Sequence, residues 1–376
     1  MPDSDLLVVM PMAGLSTRYP QQRPKWMLTH PQGDLMFRVA MDGLHGGAGK
    51  VVFVVRQKHA NQFDARLVVE RQLQSRPLAF GDIDCEVLVA PPTASQPHTV
   101  DWALERVDHK GPLFVKDCDN YFNMQLPQHG NYVAVADLRD MASVANPAAK
   151  SYVQVGGEDV GADEVLNIAE KQVLGPLFCC GGYGFDSAAE FRQNFAALLD
   201  EQPDDTTPYV SHVIYRMLMH GHSFRARKVN NYVDWGTHQA WRQYVAKFGT
   251  VFVDIDGCLF TNTGQFWRDG ERWGQGRPLQ ENIDYVNRLY ASQRVHVVLV
   301  TARANAQPHI DVLKAELAQA GVQYHRLLMG VPHGLRAVIG DVGTSNGRPA
   351  AAVAIARNSD DLQAAVAAQG IQLGGV

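Results

Sequence analysis

Val-Phe-Val-Asp-Ile-Asp-Gly-Cys-Leu-Phe (251–260) decides how this chain divides. Its apolar start predicts a buried strand. Asp254 and Asp256 stand at the carboxyl end of that strand, one residue apart, and Gly257 then lets the chain turn. Open α/β sheets place their chemistry beyond the carboxyl ends of strands. Two carboxylates so close in a desolvated crevice repel each other, which is costly unless they hold a cation or share a proton. The stretch begins at residue 251 of 376, so the residues ahead of it form a separate body. The expected division is 1–247 and 248–376, with a short linker near Lys247–Thr250.

Each piece is long enough to bury its own core. A net charge of −5 without a long basic run argues against nucleic acid as a partner. The five cysteines form no C-x-x-C pair, which points to a reducing cytoplasm and no zinc site. The acidic amino terminus has no signal-peptide pattern, and no apolar run reaches the ~18 residues of a membrane span. The oligomeric state is not legible in the sequence.

Apolar runs at Leu6–Met10, Val51–Val55, Cys85–Ala90, Leu113–Val115, Tyr132–Ala136, Phe178–Phe185 and Phe224–Val229 predict strands. Amphipathic stretches at 60–74, 98–107, 187–199 and 209–220 lie between them. The alternation predicts a mostly parallel α/β sheet. After a helix at Trp241–Phe248 the pattern restarts, with strands at Val251–Asp254, Val295–Val300 and Ala337–Ile339 and helices at 279–292 and 308–320.

In the first body, Leu-Leu-Val-Val-Met-Pro-Met-Ala-Gly-Leu-Ser-Thr-Arg-Tyr-Pro (6–20) reads as strand, small-residue loop, then arginine. Small residues let backbone N–H groups approach phosphate oxygens, and Arg18 can clamp them. Lys25 supplies a second cation. Ala13-Gly14-Leu15-Ser16-Thr17-Arg18 with Pro24-Lys25 resembles the signature of the sugar-phosphate nucleotidyltransferases, with Ser16 in place of the second glycine. Further segments of that resemblance follow in order: Pro92-Thr93-Ala94-Ser95-Gln96, Phe114-Val115-Lys116-Asp117-Cys118-Asp119, Ile168-Ala169-Glu170-Lys171, Gly181-Gly182-Tyr183-Gly184-Phe185 and Val233-Asp234-Trp235-Gly236-Thr237. The resemblance covers about residues 5–245. It implies a glycosyltransferase-A-like Rossmann sheet that transfers a nucleotidyl group from a nucleoside triphosphate to a sugar- or polyol-phosphate. Asp119 and Asp234 are then the Mg²⁺ ligands, Arg18 grips the triphosphate, Lys25 the α-phosphate region and Lys171 the acceptor phosphate. Ala13, Gly14, Ser16, Thr93, Gln96, Glu170 and Gly182 line the substrate. The base stays open, with CTP slightly favoured.

The second body resembles the haloacid dehalogenase superfamily, most of whose members are phosphatases. Asp254 matches the nucleophile and Asp256 the general acid/base, the latter also lending its backbone carbonyl to a metal. Thr301 matches the phosphoryl-binding hydroxyl, and Asp341 completes a Mg²⁺ shell with Asp254. The lysine that steadies the nucleophile has no clear counterpart. Arg336, just ahead of Asp341, is the stand-in by location, ahead of Lys314 and Arg326. Too little chain separates the motifs for a large cap, so Thr261–Pro278 is expected to be a hairpin flap. Ala354–Ser359 resembles, more loosely, the last segment of small phosphatases encoded with capsule-sugar genes. The two resemblances imply two Rossmann-like α/β domains, at least one Mg²⁺ in each, and a bifunctional cytoplasmic enzyme supplying a precursor of surface polysaccharide. The rival readings are a transferase with a degenerate second module, and a nucleotide-sugar-binding sensor with both sites decayed.

Overall fold

The computed structural model describes residues 5–16, 19, 23–79, 83–141, 147–156, 163–201, 207–262, 275–332, 334–338, 350–371 and 373–374. The chain divides into two compact units, Met1–Trp241 and Arg242–Val376.

The first unit carries strands β1 (Leu7–Met12), β2 (Leu44–His45), β3 (Lys50–Arg56), β4 (Asp84–Ala90), β5 (Leu113–Lys116), β6 (Asn120–Gln125), β7 (Tyr132–Asp137), β8 (Tyr152–Val155), β9 (Val165–Ala169), β10 (Leu177–Phe185), β11 (Arg225–Lys228) and β12 (Asn230–Asp234). Its helices are α1 (Met36–Asp42), α2 (Gln57–Phe63), α3 (Ala65–Ser75), α4 (Gln96–Val107), α5 (Ala188–Glu201) and α6 (Val210–Met219). Helix α7 (His238–Val245) runs across the division between the units. It begins ahead of the expected Trp241 because the Thr237 hydroxyl accepts from the Ala240 N–H at 3.1 Å and caps the first turn.

The main sheet has nine strands, in the order β11-β7-β10-β5-β1-β3-β4, with β8 bridging β10 and β9. The expectation of a parallel sheet holds for β5-β1-β3-β4. It fails at β10, which runs antiparallel to both β5 and β7. Strand β10 is buried along nearly all its length, so its composition is that of any buried strand and does not encode direction. Its direction follows from the antiparallel pairings β9–β8 and β8–β10 that lead into it. The core below includes Val9, Val54, Val100, Leu104, Val115, Phe185, Phe191, Val213 and Ile214.

A Cβ added at Gly184 of β10 would fall into the ring of Tyr132 on β7. That ring stacks on Phe114 at 5.9 Å between centroids. Gly184→Ala is therefore expected to cost about 1–3 kcal/mol through overpacking. The check is the urea midpoint, and an unshifted midpoint would contradict this packing of β7 on β10.

A small sheet, β12-β6-β2, sits apart from the main one. Strand β12 runs antiparallel to β6 and sets Asp234 opposite Asn120. These strands escape the sequence pattern because both mix polar with apolar residues and are only partly buried.

The second unit holds a parallel sheet of β13 (Gly249–Asp254), β14 (Val295–Val300) and β15 (Arg326–Leu328), in that order. Helices α8 (Gln280–Ala291), α9 (Gln307–Gln319) and α10 (Leu362–Ala368) complete its described elements. Its core gathers Ile255, Leu259, Phe260, Ile283, Val286, Leu289, Val297, Leu299, Leu313 and Leu317. The expected strand at Ala337–Ile339 is not seen at Ala337 or Val338, and Val338 is exposed. Ile339 lies outside the described residues. Three apolar residues carry too little periodicity to separate a strand from an apolar loop. The ends of the expected flap do meet: Phe260 bridges Pro278, and Thr261 N–H donates to the Arg277 carbonyl at 2.9 Å. Residues 263–274, with Trp267, Arg268, Arg272 and Trp273, lie outside the described residues. Among the described residues no helix is long and apolar enough to cross a membrane.

Candidate functional site

The loop after β1 keeps Ala13 buried and leaves Gly14 exposed, with nothing near the place of a Gly14 Cβ. Arg56, at the end of β3, donates from Nη1 to the Ala13 carbonyl at 3.2 Å and holds the loop down. Ser16 adopts φ +53°, a left-handed conformation that a glycine takes without cost. Its hydroxyl accepts from the Lys25 N–H at 3.1 Å, tying the loop to the segment that carries Lys25. Arg18 lies outside the described residues.

Asp119 and Asp234, far apart in sequence, end up side by side. The pairing of β12 with β6 aligns their strand ends, and Trp235 N–H donates to the Asp119 carbonyl at 2.9 Å. Each carboxylate has its own ammonium. Lys25 forms an ion pair with Asp119, and Lys150 Nζ stands 2.7 Å from Asp234 Oδ2. Asp234 Oδ1 accepts from the Gly236 N–H at 2.9 Å. Both acids are only 13–14% exposed, so these contacts are made in surroundings where a lone charge is costly. Sequence reading found both acids and Lys25. It missed Lys150, which sits in a loop with no pattern around it.

The donor set suits magnesium: two carboxylates where adjoining strands meet, hard oxygen donors whose present counter-ions are lysine side chains. Among the described residues no group of three or more His, Cys, Asp or Glu gathers. A cation here would therefore fill its shell with phosphate and water oxygens.

Beneath the acids lies a second feature that sequence reading passed over. Lys116 is fully buried. Its ammonium donates to the Asp117 carbonyl at 2.8 Å, the Asn120 carbonyl at 3.0 Å and Asn120 Oδ1 at 2.5 Å. All three acceptors belong to the turn that presents Asp119. Burial pushes the Lys116 pKa down to about 8 against the pull of Asp117 and Asp119. Its signal was a lone charge at the end of the apolar Leu113-Phe-Val run. Desolvation, then the charge of Asp119, raises Asp117 to about 6. Gln96 donates its amide to Asp117 rather than pointing at open space. Thr93 Oγ1 lies 2.6 Å from Thr99 Oγ1, at the start of α4.

The glycine that borders this site is Gly181, at φ +73°, whose added Cβ would strike the Asp117 carboxylate. Gly182, the expected substrate contact, presents its Cβ direction to Phe122, Ala134 and Phe114 in the core. Where the acceptor was expected from sequence, Glu170 accepts from the hydroxyls of Ser151 and, at 2.8 Å, Ser211. Lys171 is exposed and at φ +55°, and its ammonium donates to the Tyr209 hydroxyl at 2.7 Å.

In the second unit Asp254 ends β13 and pairs with Arg336 at 3.0 Å, the stand-in expected from sequence. Asp256 receives a forked contact from Arg303, whose Nε and Nη2 donate at 3.0 and 2.6 Å. Thr301, fully buried, donates its hydroxyl to Asp256 Oδ2 at 3.2 Å. Arg303 in turn reaches Glu316 of α9 at 2.5 Å. Sequence reading gave Arg303 no role, although it follows Thr301 by two residues. Lys314 and Arg326 are exposed. Asp341 lies outside the described residues. Asn358 of the carboxyl-terminal segment donates its N–H to the Gly257 carbonyl at 2.9 Å and accepts from the Asn262 N–H at 2.7 Å, beside the same loop.

Compared with protein-family models and with curated proteins, the sequence matches none. Solved structures do resemble it. The nucleoside-diphosphate-sugar pyrophosphorylase from Vibrio cholerae RC9 is 18% identical, with 63% of this chain and 98% of that one covered and a TM-score of 0.51. The inositol-1-phosphate CTP transferase from T. maritima is 14% identical, with 63% and 91% covered and a TM-score of 0.47. At such identity the first likeness speaks to the fold alone, a mixed α/β architecture over 63% of this chain.

Proposed function

We propose that the first unit transfers a nucleotidyl group from a nucleoside triphosphate to a sugar- or polyol-phosphate. The observation that carries this reading is the convergence of Asp119 and Asp234, each beside a lysine, where the end of β12 meets the start of β6. In the reaction an oxygen of the acceptor phosphate attacks the α-phosphorus. The bond to the β-phosphate oxygen breaks, and pyrophosphate leaves. Asp119 and Asp234 would hold Mg²⁺, which supplies charge neutralisation for the phosphate oxygens. Lys25 neutralises the α-phosphate region, Arg18 grips the leaving phosphates, and the Lys116 cradle fixes the Asp119 turn. Prealigned cations of this kind act by position and charge, without covalent chemistry of their own. The test offers CTP, UTP, dTTP, ATP and GTP across a panel of sugar- and polyol-phosphates and follows pyrophosphate. No release from any pair would refute the reading.

For the second unit we propose hydrolysis of a phosphate monoester, with a product or substrate shared with the first unit in the making of a surface-polysaccharide precursor. Asp254 attacks phosphorus to form an aspartyl-phosphate, and the alcohol leaves with a proton from Asp256. Asp256 then takes a proton from the water that hydrolyses the acyl phosphate. Arg336, at 3.0 Å from Asp254, supports this reading. One observation favours the rival, a non-catalytic module: the Arg303 fork engages both carboxylate oxygens of Asp256, the side chain that the hydrolytic reading needs free to meet substrate and water.

Arg336→Ala separates the two readings. Loss of a charge-assisted contact worth about 2–3 kcal/mol should slow hydrolysis of para-nitrophenyl phosphate by roughly 30- to 150-fold. Lys314→Ala, on the exposed face of α9, should change the rate less than about 3-fold, in line with surface substitutions. A wild-type rate at background would establish the non-catalytic module.

A further inference from the structure

We propose that Lys150, not Lys171, is the cation that receives the acceptor's phosphate in the first unit. The inference rests on the nucleotidyl-transfer reading above and assigns a residue to one of its substrates.

Lys171 is engaged by Tyr209 at the start of α6, where its exposed ammonium bonds the hydroxyl and lies 4.6 Å from the ring centroid. Lys150 is engaged by one of the acids. Its ammonium rests on Asp234 Oδ2 at 2.7 Å and on the Tyr232 hydroxyl at 3.1 Å, with only 17% of the side chain exposed. Its backbone is fixed at both polar atoms. The N–H donates to the Pro147 carbonyl at 3.2 Å, and the carbonyl accepts from the Lys171 N–H at 3.1 Å. The next residue, Ser151, is anchored to Glu170. A fixed Cα with a four-carbon stem lets the ammonium pivot without moving the loop.

A divalent cation held by Asp119 and Asp234 would compete with the Lys150 ammonium for the Asp234 carboxylate and weaken that ion pair. The ammonium would then be free to turn to the acceptor phosphate brought in against the α-phosphorus beside Asp119 and Asp234. Lys150 thus holds Asp234 in place before the substrates arrive and binds substrate afterwards. A compact, flexible ammonium suits this exchange better than a planar guanidinium does.

The test compares Lys150→Met, Lys150→Arg and Lys171→Met with wild type on whichever of glucose 1-phosphate, mannose 1-phosphate, glycerol 3-phosphate and ribitol 5-phosphate gives the fastest pyrophosphate release. KM for the acceptor, KM for the triphosphate and half-saturating Mg²⁺ are measured for each. Lys150→Met should raise the acceptor KM by roughly 10- to 100-fold, the loss of one charged hydrogen bond. KM for the triphosphate should stay within about 3-fold, and Lys150→Arg should restore part of the loss. Lys171→Met should move the acceptor KM less than about 3-fold. An unchanged acceptor KM in Lys150→Met, or a shift in Mg²⁺ half-saturation alone, would reduce Lys150 to a counter-ion of Asp234 and overturn the inference. A large effect of Lys171→Met with none from Lys150→Met would return the role to Lys171. No pyrophosphate from wild type with any acceptor and triphosphate would bring down the transfer reading itself, and the inference with it.

Discussion

Asp119→Ala and Asp234→Ala should each lower pyrophosphate release by roughly 10³-fold or more, because each removes one of two carboxylates that would hold the metal. Hydrolysis of para-nitrophenyl phosphate should stay near wild type, since Asp254 and its partners belong to the other unit. Each substitution also removes an ion pair from a largely buried lysine, Lys25 in one case and Lys150 in the other. Circular dichroism and the urea midpoint must therefore show that the variants fold. Equal loss of both activities in a folded variant would mean that the two units share one site, and the division of labour would be wrong.

Asp254→Asn should remove phosphate release by roughly 10⁴-fold or more, and spare nucleotidyl transfer. An amide keeps the size of the side chain and is a far poorer nucleophile. It also keeps an oxygen to accept from Arg336, 3.0 Å away in the present arrangement, so local structure should survive. Phosphatase activity persisting in the purified variant would exclude Asp254 as the nucleophile. Trapping of ³²P on wild type and its absence from the variant would give the same answer by another route.

The parallel half of the main sheet was legible because β1, β3 and β5 are buried along most of their length and are therefore nearly continuous apolar runs. The pair β6 and β12 was not: Asn-Tyr-Phe-Asn-Met-Gln and Asn-Asn-Tyr-Val-Asp are half-solvated and read as loop. Yet that pair is what brings the two acids together. Asp119 and Asp234 were found by motif, and their proximity came from strand register, a long-range property. Lys171 sits at φ +55°, and its contact with the Tyr209 hydroxyl, 38 residues on, is one that its motif does not encode. Lys150 and Arg303 act through contacts with residues distant in the chain, Asp234 and Asp256, and no local pattern announces such a partner.

The stitch from Trp235 N–H to the Asp119 carbonyl has a consequence for biosynthesis. Chains emerge from the ribosome amino terminus first, and domains fold as units in that order. The strands β1, β3, β4 and β5 are available early, whereas Asn230–Asp234 is the last strand of the first unit to appear. Nascent chains arrested before it hold Asp119 and Lys25 but no second carboxylate, and so no place for a cation between two acids. The candidate site is therefore complete only once the chain has been made through Asp234.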